Sequence, residues 1–305
     1  MNEVPKVPPP FAGPHPAPRK PRFAPPAMAC DAHAHIFGPQ SRFPFAEGRG
    51  YTPPDLPVQR YLALLDHLGF ARGLVVQGNA HGFDNAVVLD ALEVGGGRLR
   101  GIGIASPATP PMTLHTWHAA GMRGLRFHLF APGNAPGYVR GVGLEALAHF
   151  APVMRDLGWV VQVWCDPAVF QDALPQIQLL TEGCPLVLDH LLNVPPEAGP
   201  AHPAFQTLLR LVGKNEAVVK LSAGYRLSRA FPDYADMRPF HYALLAANPN
   251  ALLWGTDWPH VQTEPDVMPD DGHLLDLFHA WTPEAAHRQA ILVDTPARLF
   301  WEGQA

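Results

Sequence analysis

Short, almost continuously apolar runs alternate with longer amphipathic stretches along most of this chain. Each run is rich in Val, Ile and Leu and is often bounded by Gly or Pro, which is typical of strands buried on both faces of a parallel sheet. The eight runs are 28–35, 73–78, 99–105, 123–129, 159–165, 185–191, 217–222 and 251–257. The stretches between them repeat apolar residues at helical spacing, as at Leu62, Leu65 and Leu68.

Eight strand–helix units in succession predict a distorted (β/α)8 TIM barrel, a fold of typically about 250 residues. A doubly wound open sheet is the alternative, but no Gly-x-Gly-x-x-Gly or phosphate-binding loop opens a predicted helix. Residues 1–27 hold ten of the 36 prolines, so we expect an extended arm that lies over the barrel or stays disordered. The predicted organisation is this arm followed by a single barrel domain over residues 28–305.

The composition gives little support for a nucleic acid or a membrane as a partner. The 305 residues are 47% hydrophobic, enough for one large core, and carry a formal net charge of -5. That charge gives no reason to expect nucleic acid or an acidic membrane as a partner, and no run of 18 apolar residues predicts a transmembrane helix. Three cysteines without metal-binding spacing predict reduced thiols in the cytoplasm. A small-molecule substrate is the expected partner, and the sequence leaves a homo-oligomer open.

Four ionisable residues fall at the carboxyl ends of three predicted strands. They are His33, His35, His190 and Asp257. A barrel enzyme builds its active site at the carboxyl ends of its strands, so these residues are expected to meet in one pocket. Three imidazoles and a carboxylate can hold a zinc ion, or can polarise and attack a carbonyl group directly. Asp31 is predicted on the same strand face as His33 and His35, where it would orient an imidazole.

The motifs DAHAHIFGP, VLDH and GTDWPH resemble the amidohydrolase superfamily. With GMRGLRFH, VMPDDG and TPARLFW, the chain is similar to the branch that contains 2-pyrone-4,6-dicarboxylate lactonase over most of residues 20–302. This resemblance implies a barrel enzyme that hydrolyses lactones or related carbonyl compounds. It implies that Asp257 is the general base that activates water. It also implies that His33, His35 and His190 bind the carbonyl directly or through a metal.

The same resemblance implies a substrate pocket. Arg126 of GLRF and Arg226 of AGYRL would hold substrate carboxylate, which Arg can bind bidentately. The other residues expected to line or support the pocket are Asn79, His81, His128, Trp164 and His260. Structural alternatives stay open for several of these. Arg126 could pair with a buried acid, Arg226 could be solvated, and His81 could stabilise its Gly-rich loop. For His260, support of the site from behind is favoured over direct ligation.

Two departures from the superfamily pattern narrow the chemistry. Strand four lacks the Lys that bridges two metals in many members, so we expect either no required metal or one divalent ion, with zinc favoured by the donor set. The loop after strand four has Phe130 and Pro132 near the place where the lactonase has another Arg, and Arg140 is its only basic residue. A lactone with one carboxylate or a bulkier apolar group is therefore expected in place of the dicarboxylate.

Three classes of function stay open at this level. A carboxylate-bearing lactone hydrolase is the prediction, with a metal-dependent decarboxylase of an aromatic or unsaturated acid and a non-catalytic barrel as alternatives. Acidic residues on the predicted helices, such as Asp276, are expected at solvated positions.

Overall fold

The chain folds into a barrel of eight parallel strands, each paired with the next along the chain. The computed structural model describes residues 8, 10–130 and 142–302. The strands are β1 Cys30–Ala34, β2 Arg72–Val76, β3 Leu99–Gly103, β4 Met122–Leu129, β5 Val160–Cys165, β6 Leu186–Leu188, β7 Val218–Leu221 and β8 Leu252–Trp254. All eight predicted strands are confirmed, and their ends differ from those of the predicting apolar runs by at most three residues.

The barrel closes where β1 meets the residues that follow β8. Ala34 forms a parallel bridge with Trp258. The N–H of His35 donates to the carbonyl oxygen of Trp258 at 2.8 Å, and the N–H of Asp257 donates to that of His33 at 2.9 Å. An open doubly wound sheet would leave these edges unpaired, so the barrel prediction is confirmed.

Helices connect the strands and cover the barrel, as a parallel sheet buried on both faces requires. In the first helix Tyr61, Leu65 and Leu68 are buried, and Gly69 ends the helix in the left-handed conformation with φ of 90°. The helices of the described residues are α1 Val58–Leu68, α2 Ala86–Gly95, α3 Pro111–Ala119, α4 Leu144–Asp156, α5 Pro167–Leu180, α6 Pro203–Gly213, α7 Arg238–Ala247, α8 Asp271–Trp281, α9 Ala285–Gln289 and α10 Thr295–Phe300.

The described part of the N-terminal arm contacts the barrel domain in two places. Near its start, the N–H of Phe11 donates to the carbonyl oxygen of Thr52 at 3.1 Å. Further along, the guanidinium groups of Arg19 and Arg22 bind the carboxylate of Asp276 at 2.8 and 3.1 Å. Asp276 is buried on α8. The solvated position expected for it is therefore wrong, because its partners are supplied by the arm, more than 250 positions earlier in the chain.

Helix α8 is shaped to receive the arm. A Cβ atom at Gly272 would overlap the backbone carbonyl of Arg19, so only glycine permits this close approach. The ring of Phe23 stacks on that of His279, with centroids 3.7 Å apart. The arm is therefore held by backbone fit, by charge and by ring packing together.

Candidate active site

The four side chains singled out at the strand ends meet in one place. The Nε2 atoms of His33 and His35 lie 3.3 Å apart, and Oδ1 of Asp257 lies 3.6 and 3.7 Å from them. The ring centroid of His190 lies 4.7 Å from that of His33. All four residues are buried. The barrel thus brings residues from β1, β6 and β8 into one cluster of three imidazoles and a carboxylate.

Left-handed backbone turns follow two of these strands. The φ angles of His190 and Asp257 are 50° and 61°, a conformation that costs non-glycine residues about 1–3 kcal/mol each. The same conformation continues through Leu191, Leu192 and Asn193. The His190 ring is held by a hydrogen bond of 2.9 Å between its Nδ1 and Oγ of Ser222. Strain of this kind persists where the surroundings fix it, and it is common at active sites.

The two carboxylate oxygens of Asp257 have different surroundings. The hydroxyl of Tyr225 donates to Oδ2 at 2.7 Å, and Nη1 of Arg226 lies 3.9 Å from the same oxygen. Burial raises the pKa of Asp257, but His190, Arg226, His35 and the Tyr225 hydroxyl lower it to a net value below the ordinary one. Asp257 is therefore ionised at neutral pH, with Oδ1 directed toward the imidazoles.

The histidines of the cluster are neutral at pH 7. Burial is the largest cause and lowers the pKa of His35 and of His190 to about 4, and that of His33 well below its usual value. Nδ1 of His35 donates to the carbonyl oxygen of Val76 at 2.8 Å. The neutral ring of His35 consequently carries an unprotonated Nε2 on the side that faces Asp257 and His33.

Asp31 does not orient an imidazole, contrary to expectation. Its carboxylate accepts from the backbone N–H groups of His33 and Thr256 at 3.2 and 2.9 Å, and from the Thr256 hydroxyl at 2.7 Å. The reason is a register shift between Asp31 and Ala34 in the pairing of β1 with β2, which breaks the regular alternation assumed for this strand. Asp31 therefore braces the backbone of both β1 and the segment after β8.

A buried polar network that the sequence analysis missed lies against the cluster. Asp189 accepts from Nε of Arg126 at 2.8 Å and from the side-chain amide of Gln162 at 2.9 Å. Nζ of Lys220 donates to Oε1 of Gln162 at 2.8 Å and lies 3.1 Å from Nδ1 of His33. Burial lowers the pKa of Lys220 to about 8, with Asp189 opposing the shift. The site thus contains a further cation, Lys220, a second carboxylate, Asp189, and the amide of Gln162 in addition to the predicted residues.

Lys220 did leave a signal in the sequence. It is the single charged residue inside the apolar run AVVKLS, and a lysine is almost never fully buried unless it is paired. Asp189 immediately precedes His190 in the motif VLDH, where only the histidine was singled out. The partners of Lys220 could not be identified from the sequence, because Gln162 and His33 lie 58 and 187 positions away from it.

Arg126 is paired with a buried acid, which is the structural alternative to carboxylate binding. Besides the bond to Asp189, its guanidinium lies 4.8 Å from the ring centroid of Trp164 and its Nη2 lies 3.4 Å from Nε2 of His190. The ion pair outweighs burial and lowers the pKa of Asp189, so both groups are charged. Arg126 is therefore part of the framework that holds the site as well as a cation beside it.

Two further predicted residues, Arg226 and Asn79, differ in how far their polar groups are exposed. Arg226 is exposed, with a third of its side chain accessible, and it donates to the carbonyl oxygen of Val261 at 3.0 Å while its guanidinium stays close to Asp257. Asn79 follows β2 and is buried, and its side-chain nitrogen has no hydrogen-bond partner among the described residues. A buried amide donor of this kind is costly unless a ligand satisfies it.

Aromatic side chains from β4 and β5 form one side of the site. His128 is the register partner of Trp164, with ring centroids 6.1 Å apart. Phe130 packs edge-on against Trp164 at 4.9 Å, and Trp164 contacts His190 at 5.8 Å. Burial lowers the pKa of His128 well below its usual value, so this ring is neutral. Pro132 and Arg140, on which the prediction about a second anion clamp depended, lie outside the described residues.

Two predicted pocket residues make their described contacts away from the cluster. His81 accepts from the N–H of Gly38 at 3.5 Å, donates to the carbonyl oxygen of Pro44 at 3.2 Å, and therefore ties two loops together. His260 bonds to Asp271 at 3.0 Å and packs edge-on against Tyr225, the residue that holds Asp257. These contacts match the alternatives given for both residues, loop stabilisation and support from behind.

Together, the barrel and its buried aspartate–histidine cluster describe an enzyme of the α/β-barrel class. Residues 30–301 match the family model described as amidohydrolase, so the chain belongs to the amidohydrolase family and is a hydrolase. It is 39% identical over 295 residues to 4-sulfomuconolactone hydrolase of Rhizobium radiobacter, covering 96% of each chain. It is 36% identical to 2-pyrone-4,6-dicarboxylate hydrolase of Comamonas testosteroni, covering 93% of each.

The fold comparison agrees with this assignment. A solved apo structure from Agrobacterium tumefaciens superimposes with a TM-score of 0.79 at 29% sequence identity, covering 93% of this chain and all of the other. Of the helices that the structure describes, none combines the length and the apolar character needed to cross a membrane.

Metal binding, common in this superfamily, can be tested against the residues present. In the described part of the chain, two groups are close enough to hold an ion, and both include His33: one with His35 and Asp257, the other with Asp189 and His190. Nζ of Lys220 lies 3.1 Å from Nδ1 of His33. An ammonium group only donates, so the ring proton must sit on Nε2 and block coordination there. An ion on Nδ1 would instead meet the ammonium. The residues therefore do not fit an ion held by His33.

Proposed function

We propose that this hydrolase opens the ring of an anionic lactone by general-base attack of water. The observation that carries the proposal is the carboxylate of Asp257, whose Oδ2 is held by Tyr225 while Oδ1 lies 3.6 and 3.7 Å from the imidazole nitrogens of His33 and His35. A base beside hydrogen-bonding imidazoles is what hydrolysis of an ester carbonyl requires. The names of both relatives, for 4-sulfomuconolactone and for 2-pyrone-4,6-dicarboxylate, support an anionic lactone as the substrate class.

In the proposed reaction, Asp257 takes a proton from water while the water oxygen bonds to the lactone carbonyl carbon. Negative charge develops on the carbonyl oxygen, and the N–H of His33 donates to it, with the neutral ring of His190 nearby. The bond between the carbonyl carbon and the ring oxygen then breaks. The proton held by Asp257 passes to the departing oxygen, which leaves a carboxylic acid and a hydroxyl group on one open chain. The acid then loses its remaining proton to solvent and becomes a carboxylate. This mechanism uses protein groups alone.

The anionic group of the substrate would be held by arginine. Arg226 is the better placed, because a third of its side chain is exposed and its guanidinium lies beside the catalytic base. Arg126 adds positive charge beside His190, although its Nε donates to Asp189. Asn79 supplies a buried amide donor, and the rings of His128 and Trp164 suit a flat, unsaturated ring. A monocarboxylated lactone remains our prediction over 2-pyrone-4,6-dicarboxylate.

The decarboxylase alternative is less supported. It would need a metal at the histidine and aspartate set, and the contact between Lys220 and His33 opposes one. The relatives with the sequence identities given above are named as hydrolases of lactones.

A panel of lactones read by a pH indicator tests the proposal, because every ring opened at neutral pH releases a proton. We expect turnover of anionic lactones, including 4-sulfomuconolactone or monocarboxylated butenolides, and loss of that turnover in Asp257→Asn. Neutral lactones of the same ring size are the control substrates for Arg226, because Arg226→Met should lower turnover of the anionic lactones only. Carbon dioxide release from an aromatic acid, without turnover of any lactone, would replace the hydrolase assignment by the decarboxylase.

A further inference from the structure

Lys220 is fully buried beneath the candidate active site, and the proposed reaction gives it no direct part. Three atoms surround its Nζ: Oε1 of Gln162 at 2.8 Å, Nδ1 of His33 at 3.1 Å and Oδ1 of Asp189 at 3.6 Å. The charged amino group of lysine can only donate hydrogen bonds, and it donates to Gln162 and to His33, whereas Oδ1 of Asp189 lies beyond hydrogen-bond distance. The direction of the bond to His33 is therefore set by the lysine.

The role of counter-ion to Asp189 does not account for this lysine. Asp189 already accepts from Arg126 at 2.8 Å and from Gln162 at 2.9 Å, both on Oδ2, whereas Lys220 is 3.6 Å from its other oxygen. The two short contacts of Lys220 go to Gln162 and His33. Because Gln162 gives its amide N–H to Asp189, its carbonyl oxygen is turned toward the lysine, which leaves the histidine as the second acceptor.

We infer that Lys220 is a positioning residue that fixes His33 in the tautomer with the proton on Nε2, which makes His33 the hydrogen-bond donor to the lactone carbonyl. His35 has the opposite tautomer, since its Nδ1 donates to Val76 and its Nε2 is bare. The Nε2–H of His33 therefore donates to Nε2 of His35, 3.3 Å away, on the side of the His33 ring that faces Asp257.

His33 and His35, two positions apart in the sequence, thus have different functions. His33 donates to the developing oxyanion, and His35 accepts, next to the base Asp257. Without the donor on Nδ1, His33 could move its proton to that nitrogen and leave Nε2 bare. The ring would then be unable to stabilise the oxyanion, and it would be free to coordinate a metal ion together with His35.

Nitrogen-15 NMR of histidine-labelled protein tests the inference directly. In the wild type, the signals of His33, assigned by their loss in His33→Gln, should show protonated Nε2 and unprotonated Nδ1. In Lys220→Met, which keeps the length of the side chain, this pattern should be lost. Lys214→Met, on an exposed lysine at the end of α6, should leave it unchanged. A wild-type spectrum with the proton of His33 on Nδ1 would overturn the inference, whatever the variants do.

Zinc titration by calorimetry supplies a second readout that does not depend on activity. We expect Lys220→Met to bind zinc at least about tenfold more tightly than the wild type and Lys214→Met do, because His33 gains a free Nε2. Unchanged zinc affinity in a folded Lys220→Met protein would contradict the positioning role.

The kinetic consequence rests on the proposed lactonase function. There, Lys220→Met should lower kcat about 10- to 100-fold with little change in KM, since the donor acts mainly in the transition state. If the tautomer is as inferred but the wild type opens no lactone, the proposed function fails and the positioning role of Lys220 stands. If lactones are opened but His33 is protonated on Nδ1, the positioning role fails and the function stands.

Discussion

Asp257 separates two functions between its two oxygens, because Tyr225 holds one while the other faces the histidines. Replacing it with Asn keeps the shape but removes the basic oxygen. We expect Asp257→Asn to lower kcat by about a hundredfold or more, while its circular dichroism spectrum stays that of the folded wild type. Asp156→Asn, at the exposed end of α4, is the control and should retain full turnover. Wild-type-like turnover in Asp257→Asn would remove Asp257 as the base.

Tyr225 should act through the pKa of the same carboxylate. Its hydroxyl lowers the pKa of Asp257, so Tyr225→Phe should raise that pKa. The acid limb of the pH profile of kcat/KM would then move to higher pH, and turnover at neutral pH would change less than in Asp257→Asn. Tyr242→Phe, at an exposed position of α7, should leave the profile in place. A profile unaffected by Tyr225→Phe would mean that the hydrogen bond does not tune the base.

The two arginines of the site should respond differently to substitution by Met. The guanidinium of Arg226 is partly exposed and lies beside Asp257, where it can reach a bound anion, so Arg226→Met should reduce kcat/KM for anionic lactones and spare neutral ones. Losing such a contact typically costs about 2–5 kcal/mol. Arg126→Met should impair anionic and neutral lactones alike, because Asp189 and His190 lose their support. Selective loss of anionic substrates in Arg126→Met would instead identify Arg126 as the principal clamp.

At the scale of elements, the arm and α8 form a single packed unit. Asp276 is buried and its described partners are the arm residues Arg19 and Arg22. Asp276→Asn removes the charge that holds them, so we expect several-fold faster trypsin cleavage after Arg19 and Arg22 under native conditions. Asp156→Asn again serves as the control. Equal cleavage rates in the two variants would show that backbone fit at Gly272 and stacking of Phe23 suffice to hold the arm.

Over the whole molecule, the buried histidines should make stability depend on pH. The pKa of His35 and of His190 is about 4 in the folded chain and near 6.5 when exposed, because burial disfavours the charged ring. As the pH falls, the unfolded chain therefore takes up protons on these rings at a higher pH than the folded chain does, and this destabilises the fold. The contribution is complete above about pH 6.5 and is lost as the pH falls toward 4, by about 2 kcal/mol per ring between pH 7 and 5. Urea unfolding at the two pH values measures it, and equal stabilities would contradict the prediction.

The fold could be predicted from the sequence because strands buried on both faces are largely apolar, and eight such runs separated by helices leave little choice of architecture. The convergence of His33, His35, His190 and Asp257 followed from that architecture alone. The arm was harder to predict. Its docking depends on Asp276, which a helical pattern places at the surface, and only the folded chain shows that the arm covers it.

The polar network beneath the candidate site lay beyond prediction for a similar reason. Lys220 and Gln162 are single polar residues inside apolar strands, and their meaning depends on which strand faces them across the barrel. Asp31 was misplaced because a register shift in β1 breaks the alternation of side chains. Sequence periodicity gives each residue a position along its own strand, but hydrogen bonds across the barrel depend on register and on bulges.

The seam that closes the barrel runs through the candidate active site. Its backbone hydrogen bonds join His33 to Asp257 and His35 to Trp258, so the histidines of β1 and the base come from opposite ends of the barrel sequence. During synthesis, His33 and His35 leave the ribosome more than 220 residues before Asp257 does. No nascent fragment that lacks the last strand can be catalytic. Recovery of activity on refolding would therefore report closure of the barrel, which joins parts of the chain that are more than 220 residues apart.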